Sequence, residues 1–538
     1  TFLGSGTTIV NEKKGIEQWA GAGWTGQPLI VDECGKKFLI QGCFDHHLKK
    51  IDAQTGDVKW EYAYDDILKG TGTIWKNDSA ADPENRIEII QGSRKGVNSP
   101  LCGAHAYSFR AVSYFTGKEL WRMDVEHTAS YSRDCDASAL VISDTAYIGL
   151  ENGKFKWFDP GKKTIPSDSF AAPDVFGCTD LYNREDAAHH GGNLVTESSP
   201  AHIGNHIYIT AGSGHVYGFN LATKIIDWDF FIGSDMDGSP VVTSDSCLLI
   251  PVEKQYIAGN GGVFKLDPSK SPDNCVQWYF PSADFSFASW EGGVIGSVAV
   301  NDRYNDGEFP RLASFMGIDG YLTVVKYDHV RKDTLVKGPD GKTVYPCPEV
   351  VFRKRTGPSI STPLFVNDKL VAAGYSGICL FRYDRGGFFY ELAFHPGIFE
   401  ATPSADAGKI FIASRDGFLY CFGDAGTGTG KEALSHNTPA PVTQAVAAKK
   451  KKDAPPAVQK KEERNTFHLV AGAFRVKQNA VNFKKQWEAK GVSGSLIEAP
   501  MDLYYVSLFD TESKEAADRK HDELMKQFGA DTWIYTGN

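Results

Sequence analysis

The sequence predicts an all-β eight-bladed propeller with a second, small α+β domain of element order βαββαβ behind it. Three observations support this prediction. A strand–turn–strand hairpin recurs along residues 1–424, a Ser/Thr-Pro signature recurs at an interval of 40 residues, and the composition changes to Pro, Ala and Lys near residue 425.

The repeated hairpin is clearest in KKIDAQTGDVKWEYAY, which begins at Lys49 and contains two strands, a tight Thr-Gly turn and Trp60. The segment RAVSYFTGKELWRMD has the same turn and Trp121, and two further copies end on Trp228 and Trp278. Four weaker copies bring the number of units to about eight. We expect the recurring tryptophan to pack between neighbouring blades and not to hold a ligand, because stacked repeats bury their shared core.

The Ser/Thr-Pro signature precedes the first strand of several units. The intervals from Pro200 to Pro240 and from Pro363 to Pro403 are each 40 residues, which fits one four-stranded blade. The last unit lacks a fourth strand, and we predict that GIEQWAGAG, with Trp19, supplies it and closes the ring. The propeller domain then spans residues 1–424.

The motif Ile-Asp-Ala-x-Thr-Gly-x-x-x-Trp at Ile51–Trp60 resembles the repeat of the PQQ-like (quinoprotein-like) propellers. That family contains quinone-dependent dehydrogenases and also non-enzymatic propellers, such as the lipoprotein of the outer-membrane β-barrel assembly machinery. The dehydrogenases carry a disulfide between adjacent cysteines, and this sequence has no Cys-Cys dipeptide. The resemblance therefore implies a propeller without catalytic activity. We expect no cofactor, with PQQ or calcium as the alternative.

Charge and cysteine content limit the possible functions. The net charge of −10 argues against a nucleic-acid partner, which requires a basic face. No run of about 18 apolar residues predicts a transmembrane segment. Ten cysteines permit disulfides in an oxidising compartment, with Cys34–Cys43 and Cys247–Cys275 as candidate pairs. Buried free thiols are the alternative.

Residues 425–465 are rich in Pro, Ala and Lys and predict a flexible linker. Residues 466–538 then predict the order βαββαβ, with two helices on one face of a sheet and the other face open. The segments FHLVAGAF, NAVNFKKQWEAKG and KEAADRKHDELMKQFGADTWIY resemble the SPOR domain, a bacterial peptidoglycan-binding module. The resemblance implies that the open face binds glycan strands. By position the candidate contacts are His468, Phe474, Tyr504 and Trp533. The alternative is that these aromatic residues belong to the core or contact a protein.

Acidic residues recur just ahead of the first strand of the units, where propeller segments approach the axis. We expect them to form an anionic channel mouth that attracts a cation or a basic peptide, although each could instead cap its own turn. No metal site is predicted among them. The residues are Asp134, Asp136, Glu197, Asp235, Asp237, Glu291 and Glu400.

Together these patterns favour a non-catalytic scaffold in the cell envelope of a Gram-negative bacterium, located in the periplasm. The propeller would dock envelope or outer-membrane proteins, and the SPOR-like domain would bind peptidoglycan. Two alternatives remain: a subunit of an outer-membrane protein assembly or secretion complex, and a quinone- or metal-dependent periplasmic propeller enzyme.

Overall fold

The computed structural model describes residues 1–4, 7–11, 15–165, 170–305, 307, 309–394, 397–423, 466–474, 477–499, 503–528 and 532–537. The predicted linker, residues 425–465, lies outside the described residues.

Within the described part of residues 29–422, the chain folds into eight consecutive antiparallel sheets, each a simple meander in which sequential strands are neighbours. The first seven sheets have four strands and the eighth has three. The first four sheets comprise β3–β6 (Leu29–Glu33, Lys36–Gly42, His47–Asp52, Val58–Ala63), β7–β10 (Thr73–Lys76, Ile87–Gly92, Phe109–Ser113, Glu119–Met123), β11–β14 (Leu140–Ile142, Thr145–Gly149, Lys154–Thr164, Ala172–Asp180) and β15–β18 (Ala201–Ile203, His206–Thr210, His215–Asn220, Ile226–Phe231).

The remaining sheets comprise β19–β22 (Val241–Val242, Leu248–Val252, Gly262–Leu266, Val276–Pro281), β23–β26 (Ala299–Val300, Leu312–Met316, Tyr321–Lys337, Val344–Arg355), β27–β30 (Leu364–Val366, Lys369–Gly374, Gly377–Asp384, Gly387–Phe394) and β31–β33 (Ser404–Asp406, Lys409–Ala413, Leu419–Phe422). A short helix, α1 (Arg184–His189), follows the third sheet, and three 3-10 turns occupy Pro83–Asn85, Pro272–Asn274 and Asp302–Tyr304.

The eighth sheet is extended by the N-terminus, but not by the segment that the sequence predicted. Leu3 N–H donates to Gly417 O (2.7 Å), Leu419 N–H donates to Thr1 O (2.8 Å), and Phe2 forms a bridge with Phe418. The predicted segment is instead β2 (Gly15–Trp19), which pairs with β1 (Thr7–Asn11) in a separate hairpin. The segment around Leu3, and not Gly15–Trp19, pairs with the edge of the eighth sheet because the Leu3 side chain is fully buried in the core between the first and last sheets.

Sheet-to-sheet packing continues from the last sheet back to the first. One hydrophobic cluster joins Leu39 and Ile51 of the first sheet to Val371 of the seventh and Phe411 of the eighth. The arrangement of antiparallel four-stranded sheets around a closed circuit is that of a β-propeller.

The repeated tryptophan lies between neighbouring sheets. The indole N–H of Trp60 donates to Tyr114 O in the second sheet (2.9 Å), and that of Trp278 donates to Tyr327 O in the sixth (2.8 Å). Trp228 bonds Lys270 O in the fifth sheet in the same way (2.9 Å). Each of these three indoles therefore satisfies its own N–H while filling the space between two sheets. Trp121 is also buried between sheets, against Phe109 and Phe158, but its N–H has no hydrogen-bond partner among the described residues.

Residues 466–537 form a separate α+β domain in the predicted order. The elements are β34 (Thr466–Phe474), α2 (Lys477–Glu488), β35 (Ser495–Ala499), β36 (Leu503–Thr511), α3 (Lys514–Phe528) and β37 (Trp533–Gly537). The sheet has strand order β35-β36-β34-β37, and α2 and α3 pack on one face. Ala480 and Trp487 of α2 and Ala517 and Leu524 of α3 are buried, as their spacing along each helix predicts.

None of the ten cysteines, all of which lie in the described residues, forms a disulfide. Cys34 is exposed in the turn between β3 and β4 while Cys43 is buried, and Cys247 and Cys275 are both buried thiols. In the described part of the chain, no helix combines the length and apolarity that a bilayer crossing requires.

Candidate functional site

A ring of hydrogen bonds lies where the eight sheets converge. The loop ahead of the first strand of each sheet carries a Ser, Thr or Gln, and in most cases the backbone N–H of this residue donates to the hydroxyl of its counterpart in the next sheet. These bonds are Gln27 N to Thr71 Oγ1 (2.8 Å), Ser138 N to Ser199 Oγ (2.9 Å), Ser199 N to Ser239 Oγ (2.8 Å), Ser239 N to Ser297 Oγ (3.0 Å), Ser297 N to Thr362 Oγ1 (2.9 Å) and Thr362 N to Thr402 Oγ1 (3.4 Å).

We name this ring of hydrogen bonds between the first-strand loops the hydroxyl belt. Its remaining two links, between Thr71 and Ser138 and between Thr402 and the first sheet, use other atoms. Ser138 Oγ donates to Thr71 O (2.7 Å), and Thr402 N–H donates to Gly26 O (3.3 Å), which returns the circuit to its start. The belt explains the Ser/Thr-Pro signature, because the hydroxyl residue directly before the proline is the belt member.

A cavity of about 390 Å³ lies inside the belt. All eight sheets contribute lining residues, so the cavity lies at their common centre. Asp136, Glu197 and Asp237 line it together with the belt residues. The centre of the ring therefore carries acidic side chains.

Three of the predicted mouth carboxylates are paired with internal cations. Asp134 Oδ2 lies 3.1 Å from Arg94 Nε, and Asp136 Oδ2 lies 2.5 Å from Lys69 Nζ. Arg415 Nη1 donates to Glu400 Oε2 (2.7 Å), whose other oxygen accepts from Tyr375 Oη (2.8 Å). These three carboxylates occupy similar places in the repeat, because each lies in the loop that precedes the first strand of a sheet.

Two groups of three carboxylates stand out among the described residues, each with ligand atoms within 4.8 Å of one another. The first, which we name the Asp136 triad, consists of Asp136, Glu151 and Glu197. Lys69 Nζ lies 3.9 Å from Glu151 Oε1, so this cation serves two members of the triad. Glu197 also accepts a hydrogen bond from the indole of Trp24 (2.8 Å).

The second group, the Asp235 triad, consists of Asp235, Asp237 and Glu253. Its hydrogen-bond donors are neutral: Asn193 Nδ2 donates to Asp235 Oδ2 (2.7 Å), and Gln255 Nε2 donates to Glu253 Oε2 (3.0 Å). Among the described residues, no Lys, Arg or His forms an ion pair with this triad within 4.0 Å.

Burial and mutual repulsion raise the pKa of carboxyl groups in both triads. Burial raises the pKa of Asp136 to about 7 despite the opposing pull of Lys69. Burial raises the pKa of Asp235 to about 6 and that of Glu253 to about 8. Burial opposes the charged form of Lys69, but the surrounding carboxylates outweigh it and raise the pKa of that ammonium well above its usual value.

Glu291, which the sequence also predicted at the channel mouth, lies elsewhere. It is exposed in the loop between β22 and β23, outside both triads. Sequence reasoning missed Glu151, Glu253 and Asn193. The first two follow the second strand of their sheets, at one shared position of the repeat, so aligning the repeats at that strand would have found them.

The C-terminal sheet places the four predicted glycan contacts differently. His468 stacks on Tyr535 (5.9 Å) and its Nδ1 lies 2.8 Å from Asp510 Oδ1, on the face opposite the helices. Phe474 does not lie on that face: it is buried against Phe483 of α2 (5.1 Å), because it fills the space between sheet and helix.

Tyr504 is partly buried at the same helix-side core and lies below Lys477 Nζ (5.5 Å). The backbone of Trp533 begins β37, and its side chain lies outside the described residues.

The sheet face that the sequence predicted to be open is covered in this structure. Val470 and Tyr505 are buried against the ring domain, and Tyr505 Oη donates to Tyr375 O (3.5 Å). Phe287 and Trp290, from the loop between β22 and β23, belong to the same cluster. Trp290 in turn lies 5.9 Å from Trp24, so the covering contact is continuous with the acidic mouth.

No family model and no curated protein matches this sequence. Among solved structures, BamB from Moraxella catarrhalis is similar over 74% of this chain and 96% of its own, with 11% identity and a TM-score of 0.47. The computationally designed Ika8 protein is similar over 76% of this chain and 97% of its own, with 10% identity and a TM-score of 0.47.

Proposed function

We propose that this protein is a non-catalytic scaffold of the bacterial cell envelope, in which an eight-bladed propeller docks protein partners and a SPOR-like domain binds peptidoglycan glycan strands in the periplasm. The observation that supports this most directly is an aromatic stripe on the helix-free face of the C-terminal sheet, which the ring domain covers in this structure and would have to release. Tyr505 and Tyr535 lie edge to face (5.0 Å), and His468 stacks beside them. Aromatic rings of this kind lie flat on sugar rings while neighbouring polar groups bond hydroxyls.

The eight-blade assignment rests on the eight consecutive sheets and on the hydroxyl belt, which visits each of them once. The absence of catalytic activity is proposed because Asp134, Asp136 and Glu400 are engaged by Arg94, Lys69 and Arg415. A carboxylate held in a buried ion pair is poorly placed to accept a substrate proton.

Co-sedimentation with purified sacculi tests the glycan-binding role. We expect the full chain to sediment with sacculi, and a chain that ends at residue 465 to stay in solution. Tyr535→Ala should weaken binding about fivefold, since a lost aromatic platform costs on the order of 1 kcal/mol. Tyr390→Ala, an exposed tyrosine of β30, is the matched control. Equal sedimentation of the full and shortened chains would refute wall binding through this domain.

A second candidate, a subunit of an outer-membrane assembly or secretion complex, is favoured by two hairpins with exposed apolar side chains. Phe176 is 50% exposed on the β13–β14 hairpin, and Leu335 is 66% exposed on the β25–β26 hairpin. Val175 and Val344 are also exposed on these hairpins, and exposed apolar side chains that are grouped, unlike single ones, are typical of protein contacts. Crosslinking in envelope preparations should capture an envelope protein with the natural chain, and Phe176→Asp or Leu335→Asp should abolish the product.

The enzymatic alternative is tested by adding PQQ and calcium to the purified chain and recording its absorbance. A bound quinone spectrum together with dye-linked turnover would replace the scaffold proposal.

A further inference from the structure

We propose that the Asp235 triad, completed by Asn193, is a binding site for a hard divalent cation, with Ca²⁺ as its best-fitting occupant. The sequence assigned Asp235 and Asp237 only to a general acidic mouth and missed Glu253 and Asn193. The inference also departs from the expectation that the protein holds no metal. It does not depend on the scaffold function.

The first argument is a comparison within the ring. Asp136 and Glu400 occupy the same position ahead of their first strands as Asp237, and Asp134 occupies that of Asp235. Each of these three has an internal cation, from Lys69, Arg415 or Arg94. At the Asp235 triad the corresponding partners are the neutral amides of Asn193 and Gln255. Three close carboxyl groups without a side-chain cation have no internal partner for the charge that they acquire on ionising, and a bound divalent ion would supply one.

The second argument is a buried oxygen beside the group that has no partner. Asn193 is 3% exposed, and its Oδ1 accepts no hydrogen bond within the described structure, while its Nδ2 donates to Asp235 Oδ2 (2.7 Å). Because an unsatisfied buried oxygen costs about 1–3 kcal/mol, its position beside the carboxyl groups indicates a missing ligand.

The third argument is the close packing at Gly212. A Cβ at this position would lie 2.9 Å from Asp235 Oδ1 and 3.1 Å from Asn193 Oδ1. The two oxygens therefore lie against the same glycine, on the side that a Cβ would occupy, and alanine there would have to displace them.

The donor set identifies the kind of ion. Carboxylate and amide oxygens, without a histidine or cysteine in the group, suit Ca²⁺ and Mg²⁺ rather than zinc or copper. Ca²⁺ accepts six to eight oxygens in flexible geometry, whereas Mg²⁺ requires a near-ideal octahedron. The triad and Asn193 come from three separate loops and contact a water-accessible cavity through Asp237, which suits the more permissive ion.

Thermal unfolding of the full chain after chelator treatment tests the site, with CaCl₂ or MgCl₂ as the added probe. We expect saturating Ca²⁺ to raise Tm by about 3–5 °C, with a smaller effect of Mg²⁺. Tb³⁺ should give sensitised luminescence, because Tyr256 Oη lies 3.4 Å from Asn193 Nδ2, and Ca²⁺ should displace it.

Asp237→Asn and Glu253→Gln should abolish both the Tm shift and the luminescence, and Gly212→Ala should reduce both without removing a charge. Glu291→Gln, which removes the same charge outside the group, should retain both. Two results would overturn the proposal: a natural chain whose Tm is insensitive to both ions, or an Asp237→Asn variant that responds to Ca²⁺ as the natural chain does. If the natural chain responds to neither ion while Asp237→Asn has a higher basal Tm, the group is instead held together by protonated carboxyl groups.

Discussion

At the scale of single residues, the repeat is held by a turn that needs a left-handed backbone. Gly56 and Gly117 have φ values of 76° and 69°, and each donates its N–H to the carbonyl four residues earlier. In the fourth sheet the same position is Lys224, with φ 59°. The sequence motif Thr-Gly therefore marks a backbone requirement, and the strained lysine shows that the turn survives where the glycine is absent.

The contact between Gly117 and Trp60 makes this turn testable. A Cβ at Gly117 would lie 2.8 Å from Trp60 Cδ2, so Gly117→Ala adds a clash with the inter-sheet indole to the cost of a left-handed alanine. We expect a loss of about 2–3 kcal/mol in the free energy of unfolding by urea. Gly204→Ala, with φ 58° and open space around it, should lose only about 1 kcal/mol. Equal losses would contradict the proposed packing role of Trp60.

A buried histidine gives the fourth sheet a pH-dependent stability. Burial opposes the charged form of His215, but hydrogen bonds to Asp229 (2.6 Å) and Asp186 (3.3 Å) outweigh it and raise its pKa above 6.5. A raised folded pKa stabilises the protein fully below the unfolded pKa, and this contribution disappears as the pH rises through the folded value.

We therefore expect His215→Gln to be more destabilising at about pH 5.5 than at about pH 8.5, measured as the difference in free energy of unfolding from the natural chain. The control is His202→Gln, since the His202 ring bonds the Gly204 carbonyl (2.8 Å) and not a carboxylate. A difference that stays constant with pH would show that the His215 pairs contribute nothing through charge.

At the scale of elements, the hydroxyl belt joins the loops that carry the candidate site. Ser239 stands at the centre of two links, because its Oγ accepts from Ser199 N–H (2.8 Å) and its own N–H donates to Ser297 Oγ (3.0 Å). Each link crosses from one sheet to the next, so the belt fixes the spacing of the first strands and hence of the acidic residues beside them.

Ser239→Ala removes the acceptor for Ser199 N–H and should lower the free energy of unfolding by about 1 kcal/mol. Ser239→Thr should restore most of this loss, since threonine supplies the same hydroxyl at positions 71, 362 and 402 of the belt. Urea unfolding of the two variants checks both expectations. A threonine variant no better than the alanine variant would argue against a hydroxyl-specific role.

The elements also show what the sequence could predict. Strands, turns and the α+β order follow from short-range patterns, so the hairpin at Ile51–Trp60 and the helices α2 and α3 were predictable. The closing segment Thr1–Leu3 was not, because the choice between it and Gly15–Trp19 depends on which side chain reaches a core shared by distant sheets. Likewise, Lys69 and Arg415 come from other loops than the carboxylates they neutralise, and no local spacing predicts such pairs.

At the scale of the whole molecule, the two domains share one surface. The helix-free face of the C-terminal sheet, which carries the aromatic stripe, is the face that packs on Phe287, Trp290 and Tyr375. Under the proposed function, the same tyrosines cannot contact glycan and the ring domain at once. Binding to the wall would then require this contact to open. The apparent affinity for the wall would equal the intrinsic affinity multiplied by the fraction of molecules in which the contact is open.

Trp290→Ser tests this competition without altering the sheet itself. Trp290 is 7% exposed and packs on Phe287 and Trp24, so its loss should weaken the contact by about 2 kcal/mol or more. We expect a larger radius of gyration by small-angle scattering and about tenfold stronger co-sedimentation with sacculi. Phe389→Ser, at an exposed phenylalanine of β30, should change neither measurement.

The two measurements test two separate claims. A larger radius with unchanged sedimentation would support the role of Trp290 in the domain contact but refute the claim that this contact controls wall binding. An unchanged radius would mean that Trp290 does not hold the domains together, because domains that lose a stabilising apolar contact should separate for more of the time and raise the average radius of gyration.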